Sequence, residues 1–84
     1  MFKLKITPHA KYQLKQISKL YQQQAVAEAL SEIREDPSIG KALTLEHTGL
    51  FSYKLGAYRI IYRGDHQNNI VVIFRVGHRS SVYG

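Results

Sequence analysis

Lys54 and Arg59 flank Gly56-Ala57 in the run Phe51-Ser52-Tyr53-Lys54-Leu55-Gly56-Ala57-Tyr58-Arg59-Ile60-Ile61-Tyr62-Arg63. Glycine at the first position of a two-residue loop suits a type II′ hairpin turn. With the turn placed there, Leu55 pairs with Tyr58, Lys54 with Arg59, Tyr53 with Ile60 and Phe51 with Tyr62. Side chains alternate faces along a strand. One face of the hairpin therefore collects Phe51, Tyr53, Leu55, Tyr58, Ile60 and Tyr62, and the other carries Ser52, Lys54, Arg59, Ile61 and Arg63. Like charges directly opposite one another cost stability. A pair of facing cations is a site for an anion, and an arginine there supplies a planar fork matched to phosphate.

The charge distribution points the same way. The chain has 84 residues and a net charge of +6. Residues 1–49 hold seven Lys/Arg against five Asp/Glu, whereas residues 50–84 hold Lys54, Arg59, Arg63, Arg75 and Arg79 against Asp65 alone. Such a surface attracts nucleic acid or an acidic protein; the plainer alternative is a basic surface that keeps the chain soluble. With no cysteine, a disulfide, a thiolate metal site and a cysteine nucleophile are all excluded. His9, His47, His66 and His78 share no metal-ligand spacing, so neither a metal nor a small-molecule cofactor is expected. Met1–Pro8 lacks the apolar run of a signal peptide. No stretch approaches the roughly 20 apolar residues of a membrane span. The expected location is the cytoplasm.

The elements that must position these cations follow from periodicity. A chain this short makes one domain, residues 1–84, that buries roughly 60–65% of its unfolded surface. Phe2-Lys3-Leu4-Lys5-Ile6 alternates apolar and basic residues, as a strand with one wet face does. Thr7-Pro8 starts a helix, with threonine as cap and proline at the first helical position. Ala10, Leu14, Ile17 and Tyr21 recur at helical spacing, with Lys11, Lys15 and Lys19 on a solvated face. A short link near Leu20–Gln22 leads to a second helix from about Gln23, with Val26, Ala29, Leu30 and Ile33 on one side. Asp36-Pro37 ends it.

Residues 38–49 read as a loop with an extended piece at Leu43–Leu45. The hairpin strands span about 50–55 and 58–63, and residues 64–69 form a polar loop. Ile70–Val76 is the most apolar run and the expected central strand. A register with Ile70, Val72, Phe74 and Val76 toward the helices brings Arg75 out beside Lys54 and Arg59, which avoids burying an unpaired charge. Gly77 then bends the chain, and Ser81-Val82-Tyr83 continues extended. The order is βααβββ, an α+β fold in which a two-helix hairpin packs on one face of a twisted, mostly antiparallel sheet.

Taken together, Tyr53-Lys54-Leu55…Tyr58-Arg59-Ile60-Ile61-Tyr62, the Ile70–Val76 run and Gly77-His78-Arg79…Val82-Tyr83 resemble the RelE/ParE toxin superfamily, most closely its RelE branch. The resemblance covers nearly the whole chain, including the Asp36-Pro37 helix end. It implies the toxin of a type II toxin–antitoxin pair: a ribosome-dependent endoribonuclease, or messenger RNA interferase, that inhibits translation and is held inactive by a cognate antitoxin. Messenger RNA and the ribosome are then the further partners. By the same resemblance, Lys54 matches a basic residue of the active surface, Arg59 and Arg79 the arginines that bind phosphate and stabilise the transition state, and Tyr83 the C-terminal tyrosine that orients the cleaved nucleotide. Arg63 and Arg75 are candidate RNA contacts, with ordinary strand exposure as the alternative for each. Ser52 stands where well-studied members carry a second lysine, and the spacing from Arg79 to Tyr83 is tighter than in some members.

Cleavage by the RNA's own 2′-hydroxyl requires that hydroxyl to be aligned in line with the phosphorus, its proton to be removed, and the phosphorane charge to be stabilised. Arginines directed at the phosphate supply the last of these. The base remains open among Tyr83, Lys54 and His78. The runner-up function is a ParE-like toxin that binds and inhibits DNA gyrase without nuclease activity; a third is a catalytically weak module that binds RNA or antitoxin.

Overall fold

The computed structural model describes residues 2–80. Its elements are β1 (Lys3–Ile6), α1 (Pro8–Lys15), α2 (Leu20–Glu35), a two-residue β2 (Lys41–Ala42), β3 (Phe51–Leu55), β4 (Tyr58–Asp65) and β5 (Ile70–His78), with short 3-10 turns at Pro37–Ile39 and Leu45–His47. The strands form one sheet in the order β1-β5-β4-β3-β2. The β1–β5 pair is parallel and the rest are antiparallel. This is the expected α+β architecture with one small strand added at the edge.

The hairpin register agrees with the sequence at every position read: Phe51 faces Tyr62, Tyr53 faces Ile60, Lys54 faces Arg59 and Leu55 faces Tyr58. Gly56 takes a φ of 59°, the left-handed conformation that glycine enters without steric cost.

Helix α1 starts as the sequence implies. Thr7 Oγ1 accepts from Ala10 N at 3.1 Å, and Pro8 occupies the first turn. It ends sooner than expected, at Lys15, and the connection is residues 16–19 rather than Leu20–Gln22. Ile17 is still buried, but from the connecting turn, whose carbonyl at Ile17 accepts from Gln23 Nε2 at 2.7 Å. Capping by a side chain of the next helix closes the turn early and leaves Leu20 and Tyr21 to begin α2 in solvent. Helix α2 buries Val26, Ala29 and Ile33. Asp36 ends it and holds the following turn, its Oδ1 accepting from Ser38 N at 3.1 Å and Ser38 Oγ at 2.6 Å.

The core lies between the two helices and one face of the sheet, where Ile60, Tyr62, Val71, Ile73 and Val76 join Ala10, Ile17, Val26, Ala29 and Ile33. Tyr62 is wholly buried, and its hydroxyl donates to Pro37 O at 2.6 Å and accepts from Gly40 N at 2.9 Å. The Tyr53 hydroxyl instead reaches the rim and donates to Glu32 Oε2 at 2.6 Å.

Three expectations about β5 need correction. The residues facing the helices are Val71, Ile73 and Val76; of the four expected there, Val76 holds, and Ile70, Val72 and Phe74 do not. A bulge reconciles them: Ile61 pairs with Arg75 but Tyr62 pairs with Ile73, so Phe74 is the extra residue. A bulge shifts side-chain parity by one, and Arg75 emerges on the face of Lys54 and Arg59 while both ends of the strand bury their valines. Gly77 does not bend the chain, because β5 runs on to His78. The middle strand of the sheet is β4, with β5 between it and β1. Where β1 gives way to α1, helix side chains meet the backbone of β5: Thr7 Oγ1 donates to Phe74 O at 3.3 Å, and Gln13 Oε1 accepts from Val76 N at 2.7 Å. No helix among the described residues is long and apolar enough to cross a membrane.

Candidate functional site

The face of the sheet turned away from the helices carries the cations singled out in the sequence. Residues paired across a sheet share a face, so the register lays this face out in rows. Nearest the hairpin turn, Lys54 lies opposite Arg59, and Arg59 opposite Gly77. The next row runs Lys41, Ser52, Ile61, Arg75. Past the bulge come Arg63, Val72 and Lys5, then Asp65, Ile70 and Lys3. The middle of this face is apolar and shielded, with Ile61 and Ser52 both buried. Cations ring it.

Arg59 is held by its own turn. Nη1 donates to Gly56 O and to Tyr58 O, each at 2.9 Å. One edge of the guanidinium is thereby fixed to the hairpin, while Nε and Nη2 make no hydrogen bond among the described residues. An arginine carries five donors in a rigid fork, so three remain for a ligand. Lys54 is exposed and Arg75 half-buried. Arg79 follows β5, and its backbone N donates to Ala57 O at 2.8 Å. That bond brings Arg79 to the turn end of the sheet, beside Lys54 and Arg59.

Electrostatically the face is unbalanced. Among the described residues no lysine or arginine lies within ion-pair distance of a carboxylate; the one pair present joins His47 to Glu46. Asp65 shares the face but is occupied by its own loop, accepting from Gln67 N, Asn68 N and Asn68 Nδ2 at 3.1, 3.2 and 2.8 Å. Those bonds, the Asn68 side chain first, hold its carboxyl below the ordinary carboxylate range. It stays ionised but is directed inward to the loop. A set of cations whose charges are not internally compensated is an anion-binding surface.

Lys54, Arg59, Arg75 and the backbone of Arg79 therefore converge, and Arg63 extends the same face further along β4. His78 stands apart. It pairs with Tyr58 on the helix side of the sheet, their rings 6.4 Å apart, and its Nδ1 lies 2.9 Å from Ser80 Oγ. Tyr83 lies outside the described residues. The sequence reading overlooked Lys3, Lys5 and Lys41 as members of this face. The lysines alternating with Phe2, Leu4 and Ile6 were the available signal for the first two; nothing local marks Lys41, which reaches the face through the two-residue β2. Among the described residues no three His, Cys, Asp or Glu side chains gather as a metal site.

Comparison with known proteins adds a separate line of observation. The sequence model of a family described as "ParE toxin of type II toxin-antitoxin system, parDE" matches residues 4–83. Toxin RelG of Mycobacterium tuberculosis (strain ATCC 25618 / H37Rv) is 46% identical over 50 residues, which is 60% of this chain and 58% of that protein's length. The chain thus aligns with little more than half of that curated relative. A chain in the crystal structure of the toxin–antitoxin complex RelBE2 from the same organism superimposes with a TM-score of 0.83 at 34% identity, covering 93% of this chain and 98% of that one. The isolated E. coli RelE toxin shares the fold, with a TM-score of 0.79 at 22% identity over 99% of this chain and 92% of that one.

Proposed function

The chain belongs to the ParE toxin family of type II toxin–antitoxin systems, within the RelE/ParE superfamily, and on that footing we propose that it is a ribosome-dependent endoribonuclease that cleaves messenger RNA. The observation that carries this reading is the convergence of Lys54, Arg59, Arg75 and the Arg79 backbone on a sheet face whose one carboxylate is engaged elsewhere. The reaction is attack of the 2′-oxygen on the adjacent phosphorus, with departure of the 5′-oxygen. Arg59, anchored through Nη1, presents its remaining donors to the nonbridging oxygens, where charge accumulates in the transition state. Arg79 closes on the phosphate from the turn end. Lys54 protonates the leaving oxygen, and the phenolate form of Tyr83 accepts the 2′-hydroxyl proton.

His78 is a weaker candidate for proton transfer, because it lies across the sheet from Arg59. The face offers strong charge stabilisation, but its carboxylate, Asp65, is engaged by its own loop, and no imidazole among the described residues pairs onto it. Alignment of the nucleophile can supply ~7–11 kcal/mol when fully realised. A site so equipped gains most from a ribosome that holds the message bent in line. Such a toxin has a cognate antitoxin, as in the RelBE2 complex to which the chain is similar, and acts in the cytoplasm.

The family's ParE designation favours a second reading, a gyrase inhibitor that acts by binding alone. Cleavage mapping on a defined message, with and without purified ribosomes and with Arg79→Ala alongside, separates the two. Cuts that require both ribosomes and Arg79 are the expected result. A folded wild-type protein that makes no cut defeats the nuclease reading and sends the question to a supercoiling assay. Equal cutting without ribosomes leaves a nuclease but removes the ribosome from its mechanism.

A further inference from the structure

The open face does not end at the catalytic row. Beyond the bulge, Arg63, Val72 and Lys5 lie side by side on three adjacent strands, with Lys3 one row further. Lys3, Lys5 and Arg63 are exposed. Phe74, the extra residue of the bulge, is half-buried but does not belong to the helix-side core. The Arg63 guanidinium carbon stands 5.8 Å from the centre of the Phe74 ring. Phe74 follows the inward-facing Ile73 and so stands outward, and the bulge keeps Arg75 on that same face instead of returning it to the core.

We propose that this second half of the face, Arg63 and Lys5 one row from Phe74 with Lys3 a row beyond them, binds the single-stranded message next to the nucleotide being cleaved. The inference rests on the nuclease reading for its biological meaning but not for its test. Three features identify the ligand. Lysines and an arginine without carboxylate partners track a phosphate backbone. An aromatic ring beside a guanidinium is a platform on which an unpaired base stacks, and stacking tolerates any base. Arg63 lies four residue steps along β4 from Arg59, about 13 Å at strand rise, a distance that a single strand crosses in a few nucleotides. A duplex keeps its bases stacked on one another and cannot use Phe74. An acidic protein segment would satisfy the cations but would leave the ring without a special role.

The test uses antitoxin-free protein and 2′-O-methyl oligoribonucleotides, which cannot be cut by their own 2′-oxygen, so binding is read apart from activity. Wild type should bind a nonanucleotide more tightly than a trinucleotide. Lys3→Gln with Lys5→Gln, and separately Arg63→Gln, should weaken nonanucleotide binding and flatten its salt dependence by about 0.7 in log–log slope per cation removed. Phe74→Leu should weaken it about tenfold with the slope unchanged. Affinity for the trinucleotide should stay at its wild-type value in all of these, and circular dichroism should show the same folded spectrum.

Normal nonanucleotide binding by the variants overturns the proposal. So does duplex RNA binding as tightly as the single strand, or poly-glutamate competing as effectively against Phe74→Leu as against wild type. On ribosomes, 4-thiouridine placed in the message beside the cut should crosslink to this face; crosslinking to ribosomal RNA instead overturns the assignment to the message. Length-dependent binding lost in the variants of a protein that never cuts would leave this site standing and remove the nuclease reading. Cleavage with unaltered binding in the variants would do the reverse.

Discussion

The two faces of the sheet are built from the same strands and do opposite things. Toward the helices, Ile60, Tyr62, Val71 and Ile73 are wholly buried, and their contribution is to stability. Away from the helices, Lys54 faces Arg59 and Arg75 stands one row on, an arrangement that costs stability because like charges are held together. In β3 and in β4 from Tyr58 to Arg63, side chains alternate between the helix-side core and the open face that carries the cations. Pleating thus divides a single hairpin between two purposes, and mutations on the two faces should separate stability from activity.

The largest expected effect is on the covered face. Ile73→Ala should lower unfolding free energy by about 2–5 kcal/mol in urea titration, a large share of what a domain of this size possesses. Cleavage should fall only in proportion to the folded fraction; a greater fall would mean that the two faces are coupled. On the open face Arg59→Ala should do the opposite. It should lower the cleavage rate on ribosome-bound message by about 10²–10³-fold while moving the urea midpoint little, and Arg59→Lys should recover only part of the loss because it lacks the fork.

Tyr62→Phe sharpens the covered side. It leaves Pro37 O and Gly40 N without their partner and should cost about 1–3 kcal/mol. Burial, opposed by the Gly40 hydrogen bond, holds the Tyr62 hydroxyl above the ordinary tyrosine range. The stability linked to that shift is fully present below the unfolded value of about 10 and is lost as pH rises through the folded one. The gap between wild type and Tyr62→Phe should therefore narrow in alkaline titration. Gly40→Ala should mimic the loss, since an added Cβ collides with the same hydroxyl.

Smaller effects are expected on the open face. Lys54→Gln should raise stability by about 0.2–1 kcal/mol by relieving its repulsion with Arg59, while lowering cleavage; a drop in stability instead would show that the pair is not in conflict. Smallest of all, Asp65→Ala should remove an acid-sensitive increment. The Asp65 carboxyl is held low by Asn68, so its contribution is present above the ordinary carboxylate value and disappears as pH falls through the lowered one. Melting temperatures of wild type and variant should converge in acid.

Much of this was legible without coordinates. The hairpin register could be read because a strand has a period of two and Gly56 marks the turn, so both faces followed from one placement. The helix starts at Thr7-Pro8 and the helix end at Asp36-Pro37 were equally local, since each depends on what one or two residues permit the backbone to do. The first connection was not, because its closure depends on a hydrogen bond from Gln23 to Ile17 across the turn. Likewise Tyr83 was named from the pattern alone, whereas the face on which His78 stands depends on its pairing with Tyr58.

The sequence by itself therefore determined that a basic hairpin face and an apolar one lie back to back, because alternation and a glycine turn are properties of neighbouring residues. Only the tertiary structure decided which residues of β5 look inward. Between Ile73 and Arg75 the alternation breaks at a bulge, and a bulge exists only in relation to the strand across from it. The same holds for Lys3, Lys5 and Lys41. Alternation with Leu4 and Ile6 marks Lys3 and Lys5 as outward, but only the pairing of β1 with β5, and of β2 with β3 for Lys41, sets them on the same face as Lys54 and Arg59.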